Sequence, residues 1–140
     1  MTDRLEIAFA SLATAPEASC AVFAAHELAL GATTQALNAR SGGAILKAAE
    51  ASDFKGKSKS AIEILAPQKV DIGRIVVIGA GKTDEMTDTD WTMLGGYALG
   101  QIAARKTKSA SLIVDFAAMG ERKADTVAAE LALGAVLRHY

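Results

Sequence analysis

Few residues in this chain have the type and spacing to do chemistry. Gly79-Ala-Gly-Lys-Thr83 directly follows a β-branched run, where phosphate-binding loops sit, and its Gly81-Lys-Thr83 end mimics the tail of a Walker A motif. That motif needs a glycine five residues before Gly81, and the position holds Val76. The dinucleotide fingerprint needs one three residues after Gly81, and the position holds Asp84. Asp84, Glu85, Asp88 and Asp90 follow and would repel a phosphate. A tight turn with positive φ at glycine accounts for the same residues. Gly79, Gly81 and Lys82 remain the candidate anion-binding residues.

The other reactive side chains are scattered. Lys55, Lys57 and Lys59 could touch a phosphate backbone, but no aromatic residues interleave to stack bases, and a solvated loop explains them equally. His26 and His139 are the only histidines, and neither has a second histidine or a carboxylate at helical metal spacing. Cys20 is the single cysteine, which excludes an internal disulfide and a cysteine-based zinc cage. Its apolar surroundings predict a buried, inert thiol. No serine sits in a Gly-x-Ser-x-Gly elbow. Asp115, at the end of an apolar run, is the best placed carboxylate, but alone it makes neither a dyad nor a two-metal cluster. The residues therefore predict no catalytic group, no metal ligands and no resident cofactor.

The elements that must position these residues follow from the apolar pattern. Leu5, Ile7 and Phe9 alternate with Glu6, Ala8 and Ala10, which predicts a half-buried strand over 5–10. A short strand is expected at Cys20–Ala24, then helices at Thr33–Ala39 and Gly43–Ala51. A strand at Ala61–Ala66 ends at Pro67. Arg74–Gly79 is continuous and β-branched, as a central strand covered on both faces should be. Thr87 with Asp90 forms a capping pattern for a helix whose inward stripe is Trp91, Leu94, Gly95, Ala98 and Ile102. Gly95, Gly96 and Gly100 cost that helix about 1 kcal/mol each relative to alanine, which close packing of its backbone on the sheet would explain. Ala110–Phe116 reads as another covered strand, and a last helix runs from about Asp125 to Tyr140. Alternating helices and strands imply a parallel portion, and the short link between the strands near 62 and 75 implies an antiparallel pair. The expected class is α/β: one domain over residues 1–140, a three-layer α/β/α sandwich with a mixed, mostly parallel central sheet.

Composition agrees. Of 140 residues, 51% are hydrophobic and 22% charged, which excludes intrinsic disorder. The net charge of −1 gives no field to hold nucleic acid or an anionic membrane. The longest apolar runs, such as Ile75–Ala80, are far short of the roughly 18 residues of a membrane span. The first residues mix charges without an apolar core, so no signal peptide is expected. A soluble, cytoplasmic protein is the expectation. In the last helix Val127, Leu131, Leu133, Val136 and Leu137 spread apolar surface almost all round, as in a helix buried on several sides. This predicts that more protein packs on it, and that the chain is cut where more should follow.

The order of several short motifs resembles the N-terminal domain of the leucyl (cytosol) aminopeptidase family. They are Leu37-Asn-Ala-Arg-Ser-Gly-Gly43, Asp53-Phe-Lys-Gly-Lys57, Ile62-Glu-Ile-Leu-Ala-Pro67, Arg74-Ile-Val-Val-Ile-Gly-Ala-Gly-Lys82, Trp91-Thr-Met-Leu-Gly-Gly96 and Leu133-Gly-Ala-Val-Leu-Arg138. The resemblance runs from Ile7 onward. It implies a macro-domain-like fold and a parent protein that releases N-terminal amino acids, preferentially leucine, from peptides using two divalent metals, manganese or zinc. It also implies that the metal ligands and catalytic residues lie in a C-terminal domain absent from these 140 residues, so no catalytic residue carries over. The implied partners are that catalytic domain, the other copies of a hexamer and, through the parent, peptide substrates. Neither a membrane nor nucleic acid is expected. The alternative reading is a free-standing macro-like module that binds ADP-ribose or a related nucleotide through the Gly79–Lys82 turn.

Overall fold

The computed structural model describes residues 5–105 and 107–139. Its elements are β1 (Ser19–Ala25), β2 (Ala29–Leu30), α1 (Ala32–Arg40), α2 (Ala44–Ala51), β3 (Ala61–Leu65), β4 (Arg74–Gly81), α3 (Asp88–Ala103), β5 (Ser111–Leu112) and α4 (Ala124–His139). The two longest apolar strands, β1 and β4, lie side by side and parallel, from Ser19 opposite Arg74 to Ala25 opposite Gly81. β5 is also parallel to β1, whereas β2 pairs antiparallel with β1 and β3 with β4. The sheet is therefore mixed, as expected.

Because side chains alternate across a strand, β1 and β4 feed two cores. Cys20, Val22, Ala24, Ile75 and Val77 pack with Leu37, Ile45 and Ala49 of α1 and α2. Ala21, Phe23, Val76, Ile78 and Ala80 pack with Trp91, Leu94, Ala98 and Ile102 of α3 and with Val127 and Leu131 of α4. Helices thus cover both faces, giving three layers. The expected inward stripe of α3 is buried at every position.

The starts of α2 and α3 are closed by nearby residues. Thr87 accepts from the Asp90 amide at 3.2 Å, and the Asp90 carboxylate accepts from the Thr87 amide at 2.9 Å, a complete capping box on α3. Gly43, at φ +81°, brings no side chain to the start of α2; Asn38 Oδ1 accepts from the Leu46 amide there instead, at 3.0 Å.

Three expectations need correction. Residues 5–10 form no strand, and Ile7 and Phe9 are 41% and 67% exposed. Alternation makes a strand only where a sheet edge is available to pair, and this segment reaches none. The expected strand at Ala110–Phe116 shrinks to Ser111–Leu112. β5 occupies the flank of β1 at Cys20 and Ala21, and β2 folds back onto the same strand at Ala24 and Ala25. The chain after Ile113 must leave the sheet. Lastly, the glycines of α3 serve contact with a helix, not with the sheet. A Cβ on Gly95 would strike the backbone of Leu131, and one on Gly134 would strike the carbonyl of Thr92. Backbone meets backbone where α3 crosses α4. The expected last helix is present as α4; Tyr140 lies outside the described residues.

Gly134→Ala should therefore destabilise the domain despite the better helix propensity of alanine. Overpacking of this kind costs typically about 1–3 kcal/mol, against about 1 kcal/mol gained from propensity. The collision is with backbone, which cannot swing aside, so the net change should be a loss. Urea unfolding of the variant beside the parent measures it.

Candidate functional site

The Gly79–Thr83 turn lies at the C-terminal ends of β1 and β4, the end of a parallel sheet where α/β proteins place ligands. Its backbone is already engaged. The Gly79 amide donates to the Ser60 carbonyl at 2.7 Å, and the Gly81 amide donates to the Gly56 carbonyl at 2.9 Å. Gly81 has φ +74°. A Cβ on Gly79 would collide with the Lys57 carbonyl. The lysine-bearing loop between α2 and β3 is thus pressed onto the turn, and carbonyls stand where a phosphate cradle would need free amides. Gly79 lets two backbone segments touch, and Gly81 supplies a turn.

Lys82 is exposed, and the Thr83 hydroxyl donates to the Ala118 carbonyl. Together with His26, Asp84 and Glu85 they line an open crevice of about 360 Å³ that carries both signs of charge. Lys55, Lys57 and Lys59 are exposed, and Lys55 stands 3.6 Å from Asp53. His26 is 3.8 Å from Glu27 and lines the crevice, whereas His139 lies in the last turn of α4. Burial pushes the Cys20 thiol up to about 12, leaving it protonated and unreactive at neutral pH.

Asp115 has a structural duty. Having left the sheet, it lies against Gly31, and its Oδ2 accepts from the Thr33 amide at 2.5 Å. A carboxylate from 82 residues away thus caps the N-terminus of α1 and meets the positive end of its dipole.

A cluster that the residue patterns did not reveal lies at the other end of β4. Arg74 is buried, and its Nη1 and Nη2 donate to the carbonyls of Ile102 and Gln101 at 2.9 and 2.8 Å. These are last-turn carbonyls of α3, where a helix runs short of its own donors; the Ile102 carbonyl also accepts from the Arg105 amide at 3.4 Å. Glu63, beside Arg74 on β3, accepts from its Nε and also from Arg105 Nε at 2.8 Å. The Arg105 guanidinium, with Arg74 behind it, holds the Glu63 carboxyl down at about 2. The available signal was a charged residue opening a strand otherwise buried: such a charge requires partners.

Among the described residues, no three His, Cys, Asp or Glu side chains gather where they could hold a metal ion. The two divalent metals implied by the resemblance find no fitting donor set among the described residues. No described helix is long and apolar enough to cross a membrane.

Comparison with known proteins then places the chain. The family described as "Cytosol aminopeptidase family, N-terminal domain" matches residues 21–140. The chain belongs to this family. It is similar to a probable cytosol aminopeptidase of Afipia carboxidovorans, 39% identical over 140 residues, and to one of Xanthobacter autotrophicus, 38% identical. All of this chain aligns in both cases, and it spans just over a quarter of these relatives, 27% and 28% of their length. Among solved structures, a mutant tomato leucine aminopeptidase shares the fold, with a TM-score of 0.66 at 21% identity, covering 100% of this chain and 29% of the tomato protein. The α/β architecture of this aminopeptidase-family domain is thereby shown.

The Glu63 cluster makes stability depend on acid. A carboxyl depressed in the folded state stabilises fully above its unfolded pKa and loses that contribution as pH falls through the folded value. Stability should decline between the ordinary glutamate range and about 2. Glu63→Gln should be less stable at neutral pH, because Arg74 stays buried without its anion, and the acid-dependent decline should flatten. Urea midpoints of parent and variant from pH 7 to pH 2 test both expectations.

Proposed function

We propose that this chain is the non-catalytic N-terminal domain of a cytoplasmic two-metal aminopeptidase that releases N-terminal residues, leucine among them, from peptides. In this reading the domain serves assembly of the oligomer, a hexamer in the family, and controls access to an active site formed elsewhere in the longer protein. The observation that carries it is the family match over residues 21–140 combined with coverage of only 27% of a relative named as an aminopeptidase. The scattered reactive groups support it. Two-metal hydrolysis needs carboxylates converging on ions about 3.5–4 Å apart. Here Asp115 caps α1 and Glu63 neutralises Arg74 and Arg105. The metals, manganese or zinc, would be held outside these residues. The relatives' name, cytosol aminopeptidase, supports the location.

The experiment has two parts. The 140-residue chain, incubated with leucine p-nitroanilide and Mn²⁺ or Zn²⁺, should show no metal-dependent turnover. A chimera of the Afipia aminopeptidase, with its matching segment replaced by this chain, should hydrolyse the same substrate. Turnover by the chain alone, or a folded but inactive chimera, would overturn the reading.

The nucleotide-binding alternative gains nothing from the geometry, because the Gly79 and Gly81 amides are already bonded to carbonyls. Asp84 and Glu85 add repulsion: at 8 Å a unit charge pair is worth about 0.5 kcal/mol in water and about 2 kcal/mol at an effective dielectric of 20. Calorimetry with ADP-ribose should find no dissociation constant in the low micromolar range.

A further inference from the structure

Helix α4 has two apolar stripes, and the domain uses one. Val127, Leu131, Gly134 and Ala135 are buried. Leu133 and Leu137 are 48% and 63% exposed, with Ala129 exposed and Val136 half-buried beside them. Positions 129, 133, 136 and 137 recur at the spacing of a packing face. The helix cannot roll to hide them. Gly134 sits on the Thr92 carbonyl, Gly95 sits on Leu131, and Thr92 Oγ1 donates to Glu130 at 2.8 Å. Rotation would drive side chains into the α3 backbone.

Two occupants fit an apolar stripe: a second copy, or a body joined to the same chain. A second copy would be held by these four side chains on each partner, where a stable interface uses roughly 20–30 residues a side. The flanking Arg138 is committed elsewhere, its guanidinium lying over Gly100 of α3. A covalently joined body needs far less, because a tether supplies an effective concentration that reaches the millimolar range for short linkers. The relatives have such a body: nearly three-quarters of their length lies outside the region matched by this chain.

We infer that the stripe of Ala129, Leu133, Val136 and Leu137 is the face on which the rest of the aminopeptidase chain packs, through a complementary apolar surface. The inference rests on the proposed function, and its test is separable from that of the function. Side chains are labelled with hydroxyl radicals in the dilute 140-residue chain and in the Afipia chimera. Leu133 and Leu137 should be labelled in the chain and protected several-fold in the chimera, while Phe9, exposed in this domain, gives an internal reference. Ala129→Lys should leave the thermal midpoint of the isolated chain unchanged and lower that of the chimera by several degrees. Equal labelling in both proteins would overturn the inference, whether or not the chimera is active. So would an equal effect of Ala129→Lys in both. Labelling in the isolated chain that falls as its concentration rises would assign the stripe to a second copy and overturn it too. Should the chimera not fold, the same readouts are taken with the chain added in trans to the Afipia protein lacking its matching segment, where unchanged labelling again counts against the inference.

Discussion

The contact between α3 and α4 through bare backbone is the constraint on which this domain's outer layer depends. Gly95 and Gly134 are the only residue type that allows it, since any Cβ there meets a carbonyl or backbone atom of the other helix. The helices can approach so closely only in one register, and that register decides the rest. It presses Trp91 into the core, where its ring meets Phe116 edge-on with centroids 4.8 Å apart, and Phe116 in turn packs on Phe23 of β1 at 5.0 Å. It turns Leu131 inward and Leu133 outward, because residues two apart on a helix face about 200° apart. The glycines weaken α3 as an isolated helix, so its stability comes from tertiary packing.

The central strands were legible because burial on both faces leaves a mark in composition. Ile75 to Ile78 is β-branched throughout, and no other element tolerates such a run so well. The stripe of α3 was legible for the matching reason, its 3.6-residue period. Pairing was less legible. Nothing within residues 5–10 distinguishes an alternating segment with a partner from one without, and nothing within residues 110–116 says that β2 already holds the neighbouring flank of β1. Both depend on residues distant in sequence. The glycines of α3 signalled close approach correctly but not its partner, because the reciprocal signal, Gly134, lies some 40 residues away in another helix.

The candidate site shows the same division. A glycine pair followed by lysine is legible as a turn, but its amides' partners come from the loop at Gly56 and Ser60. Arg74 appears in the sequence only as the first residue of a strand. Its meaning emerges when β3 brings Glu63 beside it and α3 ends over it, so one guanidinium ties two strands to a helix terminus.

Four charged and polar groups that could have served chemistry are thus committed to closing the structure. Asp115 is bound to the start of α1, Arg74 to the end of α3, Glu63 to two guanidiniums and Thr83 to the loop after β5. A group engaged in this way is held in one geometry, whereas an acid–base catalyst needs a pKa near the working pH and reach to a substrate. Glu63 at about 2 and Cys20 at about 12 lie on opposite sides of that window. On α4 the exposed side chains of Leu133 and Leu137 offer a neighbour area to bury rather than a reagent. In the proposed reading such a domain serves by holding another body in place, and the backbone contact at Gly95 and Gly134 would fix the direction in which α4 presents its outer face.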